Sequence, residues 1–160
     1  MRTDLEGPPL PNLPDYQAWR DANHKKEFSL TDYIYGIWRQ HKLHPDFFVG
    51  LIELMWPKFV EVDNRIFLKQ TFSPARCEQL RADLNSDEEI EYWMNLTVLD
   101  ALFESSTEDF YSEHAEYVLS SMAEMWTWRL REMFPNKKFI VSVIKDFERG
   151  DFGITFSQAR

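Results

Sequence analysis

Residues 58–72, KFVEVDNRIFLKQTF, mark the point at which the hydrophobic pattern of the chain changes. The residues before them carry apolar side chains at helical spacing. Here β-branched and aromatic residues alternate with polar ones on both sides of Asp63 and Asn64. A period of two is typical of a strand, and an Asp-Asn pair is prone to form a turn. This stretch therefore predicts a β-hairpin within a chain that is otherwise mostly helical.

Three helices are predicted before this hairpin. The first is short and spans residues 15–26, with Trp19 as its main apolar anchor. The second spans residues 32–41 with Thr31 as its N-cap, a residue type that accepts a hydrogen bond from the first helical turn. The third spans residues 45–56 and is apolar almost all round. It is therefore expected to be the central buried helix.

Two further helices follow the hairpin. Ser73 is the predicted N-cap before Pro74, and Cys77 falls on the apolar side of that helix, so its thiol is expected to be packed. Ser86 and Glu89 have the spacing of a capping box and indicate the start of the next helix. That helix is expected to face the core with Ile90, Trp93, Met94, Thr97 and Ala101.

A long helix and a second hairpin complete the predicted fold. The helix covers about residues 107–134, with a break near Ser112 as the alternative, and ends at a Pro-Asn pair. Residues 138–146 and 154–158 are rich in β-branched residues and are joined by a turn with two glycines, which predicts the hairpin. The fold class is α+β, a helix-rich single domain with about five helices and about four strands in two antiparallel β-hairpins. The domain covers residues 15–160 and follows a proline-rich extended N-terminal arm in residues 1–14.

Composition and charge limit the possible partners and location. The chain has 160 residues, 44% of them hydrophobic, which is enough to build a core. It has a single cysteine, Cys77, and no apolar run of signal-peptide or membrane-spanning length, so a cytoplasmic location without membrane contact is expected. A net charge of -9 opposes direct binding to nucleic acid or anionic lipid, since both require a cationic surface.

Motifs for catalysis and cofactor binding are absent from the sequence. Neither GxxxxGK[ST] nor GxGxxG occurs, and GxSxG and HExxH are missing as well. His41, His44 and Asp46 form the densest group of possible metal ligands, but Pro45 between them indicates a helix start. No catalytic, cofactor-binding or metal-ligating residue is therefore predicted. An enzyme with a site assembled from distant residues remains an alternative.

The acidic residues are concentrated in one segment. Residues 83–128 contain twelve Asp and Glu and no Lys or Arg, which leaves fifteen acids against eighteen basic residues elsewhere. Either this segment is a solvated surface, or it is a docking surface for a basic protein, with carboxylates that speed association and aromatic side chains that supply affinity. The predicted contact residues are Asp87, Glu91, Glu108, Asp109, Glu113, Glu116 and Glu124, with Tyr92, Phe110, Tyr111 and Tyr117 as aromatic anchors.

Small, acidic, aromatic-rich cytoplasmic proteins without catalytic motifs include the immunity proteins that neutralise bacterial nuclease toxins. The chain is similar to these proteins in general character, although the resemblance rests on no particular residues. It implies an acidic protein-binding or inhibitor protein with a basic partner, such as a nuclease or another toxin. Nucleic-acid mimicry is a variant of this hypothesis. The alternative is an adaptor or structural subunit with an apolar contact, for which Trp126 and Trp128 are the sequence indication.

Overall fold

The structure is a computed structural model that describes residues 10–23, 27–100, 108–146 and 151–159. Within these residues the chain forms six helices and two small antiparallel sheets, which confirms the predicted α+β single domain. The elements in chain order are α1 (Pro14–Ala22), α2 (Leu30–His41), α3 (Pro45–Met55), β1 (Phe59–Val62), β2 (Arg65–Leu68), α4 (Pro74–Asp83), α5 (Asp87–Asn95), β3 (Thr97–Val98), α6 (Glu108–Met133), β4 (Phe139–Asp146) and β5 (Asp151–Gln158).

The first hairpin is confirmed, and its turn has the conformation that the sequence favours. β1 pairs with β2 in antiparallel register, with Val62 opposite Arg65. Asp63 and Asn64 form the turn with φ angles of 51° and 63°. Two positive φ angles give a tight turn whose twist matches that of the strands, and Asp and Asn tolerate this region better than most residues. Lys137 Nζ donates to the carbonyl and side-chain oxygens of Asn64, both at 2.8 Å.

The second hairpin is also confirmed, but it belongs to a three-stranded sheet in the order β3-β5-β4. The third strand, β3, was not predicted, because α5 ends at Asn95 and Thr97 pairs with Ile154 of β5. The prediction that Thr97 continues a helical stripe is therefore wrong, and Ala101 lies outside the described residues. Gly153 permits this pairing, since a Cβ on it would lie 3.0 Å from the Thr97 carbonyl oxygen.

The core lies between α6 and the three-stranded sheet. The helix buries one residue in every three or four, and these pack against the apolar side chains of β5. A second buried cluster joins β2 to α4 and α5 and includes Cys77, as predicted. Trp93 was expected to face this core but is 45% exposed. The buried residues of α6 are Ala115, Leu119, Met122, Trp126 and Leu130.

The prediction that the third helix is the central buried helix is wrong. None of the residues of α3 is buried, and α6 occupies the central position instead. Only one side of α3 faces the core, where Leu54 and Met55 are partly buried and Trp126 Nε1 donates to the Leu54 carbonyl oxygen at 3.2 Å. Among the described residues, no helix has both the length and the apolar character needed to cross a membrane.

Helix starts were predicted correctly in three cases and shifted in one. Ser73 caps α4, Ser86 caps α5, and Pro45 is the first residue of α3. α2 begins earlier than predicted, because its N-cap is Ser29 instead of Thr31. The Ser29 hydroxyl accepts from the Asp32 amide, and the Asp32 carboxylate accepts from the Ser29 amide at 2.9 Å. This reciprocal pair satisfies two backbone donors that Thr31 does not reach.

Candidate protein-binding site

The side of α6 that faces away from the core is the strongest candidate for a functional surface. Its exposed and half-buried residues recur at intervals of three or four, opposite the buried stripe of the helix. We call this surface the α6 outer face. It comprises Glu113, Glu116, Tyr117, Ser120, Glu124, Thr127, Trp128 and Arg131.

A cleft lies between the N-terminal half of this face and the segment that precedes α1. It has a volume of about 500 Å³ and is open to solvent. A hydrogen bond of 2.8 Å between His114 Nε2 and the Asn12 carbonyl oxygen holds the segment against the helix. We call this feature the arm cleft. Its lining residues are Leu10, Pro11, Asn12, Glu113, Glu116, Tyr117 and Ser120.

The two carboxylates of the arm cleft differ in their electrostatic surroundings. Glu116 is paired with Lys145 of β4, whose Nζ lies 2.5 Å from the Glu116 Oε1. Part of the acidic surface is therefore neutralised by a lysine that is distant in sequence. Glu113 is exposed, and no salt bridge reaches it from the residues that the structure describes. The cleft thus keeps one uncompensated carboxylate beside the half-buried ring of Tyr117 and the apolar wall of Leu10 and Pro11.

The C-terminal half of the α6 outer face combines an acid with an aromatic ring. Glu124 and Trp128 border one shallow depression, together with Arg131. Trp128 is 54% exposed and lies against Trp56, with ring centroids 5.3 Å apart. Trp126 is buried, so the two tryptophans of this helix end do point to different sides. The outer face therefore offers carboxylates at one end and an exposed indole at the other.

Three predicted contact residues on α5 do not join this surface. Asp87 forms a salt bridge with Arg65 of β2. Glu91 is fully buried, and its Oε2 accepts from the Gln158 amide at 2.6 Å, so it is removed from the candidate surface. Glu91 stands four residues before the buried Asn95 and so shares the side of α5 that faces the strands. Tyr92 is half-buried and packs edge-on against Trp93 at a separate cavity.

Four other predicted residues, Glu108, Asp109, Phe110 and Tyr111, begin α6. Their backbone is helical, whereas their side chains lie outside the described part of the structure. The predicted arm of residues 1–14 is likewise described only from Leu10, and residues 10–13 have no regular secondary structure before α1 begins at Pro14. Those few residues supply one wall of the cleft. Sequence analysis missed this role, although a proline-rich segment is suited to lie across a surface.

No three His, Cys, Asp or Glu side chains among the described residues converge in a way that would hold a metal ion. No protein-family model matches the chain, and no curated protein or solved structure is significantly similar to it. The geometry of the α6 outer face is therefore the basis for a functional proposal.

Proposed function

We propose that this protein is a non-enzymatic binding protein that docks a basic protein on the α6 outer face. In this proposal it acts as an inhibitor of immunity type and neutralises a basic partner such as a nuclease toxin. The observation that supports it is the arm cleft, in which Glu113 has no described basic partner and lies beside Tyr117. A carboxylate next to an aromatic ring is suited to bind an arginine side chain, because guanidinium pairs with carboxylate and stacks on aromatic rings.

Charge and packing have different roles in this proposal. An exposed ion pair contributes only about 0 to 1 kcal/mol, so Glu113 and Glu124 alone do not give a stable complex. Their carboxylates instead raise the association rate and disfavour acidic partners. Affinity comes from the apolar area around Tyr117 and Trp128. Tyrosine and tryptophan are among the residue types that contribute most to the binding energy of interfaces. The spacing between Glu113 and Glu124 is about 16 Å along the helix.

The proposal includes a location and excludes some ligands. We place the protein in the bacterial cytoplasm, where a single buried thiol stays reduced. The net charge of -9 supports a basic protein as the partner and opposes binding to nucleic acid and anionic membranes. No cofactor is required, because the proposed activity is binding.

The proposal is tested by capture of the partner from lysate of the native organism at low salt. The bait is the wild-type chain beside a triple variant, Glu113→Lys, Glu116→Lys and Glu124→Lys. We expect the wild type to retain one basic protein whose toxic activity it inhibits, and the triple variant to lose at least about 90% of it, because three reversals remove the attractive field and introduce repulsion.

A matched control separates the site from overall charge. Glu78→Lys, Asp83→Lys and Glu88→Lys change three exposed acids on α4 and α5 and alter the net charge by the same amount. This variant should retain the partner. Equal retention by all three baits, or equal loss in both triple variants, would show that the carboxylates of the α6 outer face have no specific role in binding.

A second candidate function, that of an adaptor or structural subunit, is favoured by one observation. Trp128 is 54% exposed and forms an aromatic pair with Trp56 at the surface. In this alternative the indoles supply the main contact, and the acids only keep the protein in solution. Trp128→Ser would then abolish capture at high and low salt alike, while the charge-reversal variant would still bind.

A further inference from the structure

α2 and α3 carry a continuous apolar surface that no described part of the chain covers. Tyr35 of α2 and Ile52 of α3 are each 62% exposed, Val49 is 58% exposed, and Ile34 is 43% exposed. Between the helices, the rings of Trp38 and Phe48 stack with centroids 4.1 Å apart. We call this surface the α2–α3 apolar face and define it by Ile34, Tyr35, Trp38, Phe48, Val49 and Ile52.

The sequence of α3 explains why this surface exists. Leu51, Leu54 and Met55 recur at spacings of three and four and lie toward the core side of the helix, where Leu54 and Met55 pack. Val49 and Ile52 recur at a spacing of three on the exposed side, and half-buried Phe48 lies between the two sides. The helix therefore has two apolar sides, and only one of them packs against the part of the chain that the structure describes. A surface helix normally presents polar residues there, so the second side indicates a partner.

The size of the apolar face matches what a protein interface requires. At about 200 Å² for a large side chain, the exposed fractions of Ile34, Tyr35, Val49 and Ile52 amount to on the order of 450 Å². A standard interface buries about 800 Å² per partner, and about 65% of a homodimer interface is apolar. The face therefore supplies most of the apolar area of one side of such an interface.

Charge distinguishes between the possible partners. The whole chain carries a net charge of -9, whereas residues 30–58 contain three acids and three basic residues, which balance. Two of these charges pair with each other within the chain, since Lys58 Nζ lies 2.7 Å from Glu53 Oε1. A neutral face gives no advantage to a strongly basic or acidic partner. At such a face two copies of an acidic chain meet with little repulsion.

We infer that the α2–α3 apolar face binds a second copy of this chain and forms a two-fold symmetric dimer. A groove of about 410 Å³ between the helices, lined by Ile34, Tyr35, Trp38, Arg39, Pro45 and Phe48, receives apolar side chains of the other copy. A two-fold interface brings the same surface of both chains together, so one neutral aromatic face is self-complementary in character. This inference is independent of the proposed function, because its residues lie on α2 and α3 instead of α6.

The test is sedimentation equilibrium of the full chain at concentrations up to about 100 µM, a range that detects a dimer of moderate affinity. We expect the wild type to be a dimer. Ile52→Glu should raise the dimer dissociation constant about 10-fold to 100-fold. The reason is that a two-fold interface would bury the introduced carboxylate of both chains. Tyr35→Glu, on the other helix, should have the same effect and guards against a folding defect specific to α3.

Ile140→Glu is the matched control, since Ile140 is 51% exposed on β4 and lies outside the face. It should leave the dimer unchanged, and circular dichroism should show all variants folded. A wild-type monomer at every concentration would overturn the inference and assign the face to a different protein. A dimer that persists with both Ile52→Glu and Tyr35→Glu would overturn it as well, since self-association would then use another surface.

Discussion

At the scale of single residues, two buried polar side chains of α5 bond to strands, and one of them, Asn95, connects the two sheets. Asn95 Oδ1 accepts from the Leu68 amide at 2.9 Å, and its Nδ2 donates to the carbonyl oxygens of Ile66 and Phe156 at 3.2 and 3.1 Å. Glu91 accepts from the Gln158 amide. The sequence suggested neither contact, because a carboxylate within an acidic run is statistically an exposed residue. Only the spacing of four residues between Glu91 and Asn95 indicates that the two side chains share one side of α5.

We expect Asn95→Ala to lower the free energy of unfolding by about 3 kcal/mol, because it leaves buried backbone donors and acceptors without partners. Urea denaturation followed by circular dichroism measures this change. Asn136→Ala, at an exposed position in the turn after α6, is the control and should stay within about 0.5 kcal/mol of the wild type. Equal stability of the two variants would show that Asn95 does not hold the sheets together.

At the scale of elements, the sequence predicted what local chemistry controls. Ser73 and Ser86 were identified as caps, and the Asp63-Asn64 turn was identified from its residues. The position of α3 was missed, since a helix that is apolar all round satisfies the pattern of a buried helix and equally that of a surface helix with an external partner. β3 was missed for a related reason. Its two residues follow α5 without a turn signal, and their pairing depends on Gly153, more than fifty residues away.

The cap of α2 predicts a specific pH dependence. Hydrogen bonds from the Ser29 side chain and backbone hold the pKa of Asp32 below its usual value. Since the folded pKa is lower than the unfolded one, the stabilisation is complete above the unfolded pKa and is lost as the pH falls through the folded pKa. The wild type should therefore be more stable than Asp32→Asn at neutral pH, and the difference should shrink below about pH 4. Urea denaturation at several pH values measures it.

A stability difference between wild type and Asp32→Asn that stays constant from neutral to acid pH would contradict this explanation. Asp46→Asn provides the comparison, because Asp46 lies in the first turn of α3 and its carboxylate pairs with the side chain of His44 instead of a serine cap. The two variants separate the capping box from a general effect of carboxylates at helix starts.

At the scale of the whole molecule, the distribution of charge and apolar area was only partly visible in the sequence. The α6 outer face follows directly from helical periodicity, and Glu113, Glu116 and Glu124 lie there as expected. The pairing of Glu116 with Lys145 depends on how β4 packs beside α6, which no local pattern specifies. The arm cleft depends likewise on where Leu10 to Asn12 cross the helix.

The measurement that tests the docking role of the α6 outer face most directly is the association rate constant with the captured basic partner at increasing salt. For the wild type we predict that the association rate constant falls about tenfold between roughly 20 and 200 mM salt. The reason is that the shorter Debye length at high salt screens the attraction between the carboxylates and the basic partner. The control Glu78→Lys, Asp83→Lys, Glu88→Lys should keep most of this slope. Glu113→Lys, Glu116→Lys, Glu124→Lys should associate slowly, at a rate that stays constant or rises with salt, because salt screens the repulsion that the lysines introduce. An unchanged slope in that last variant would contradict the proposed docking surface.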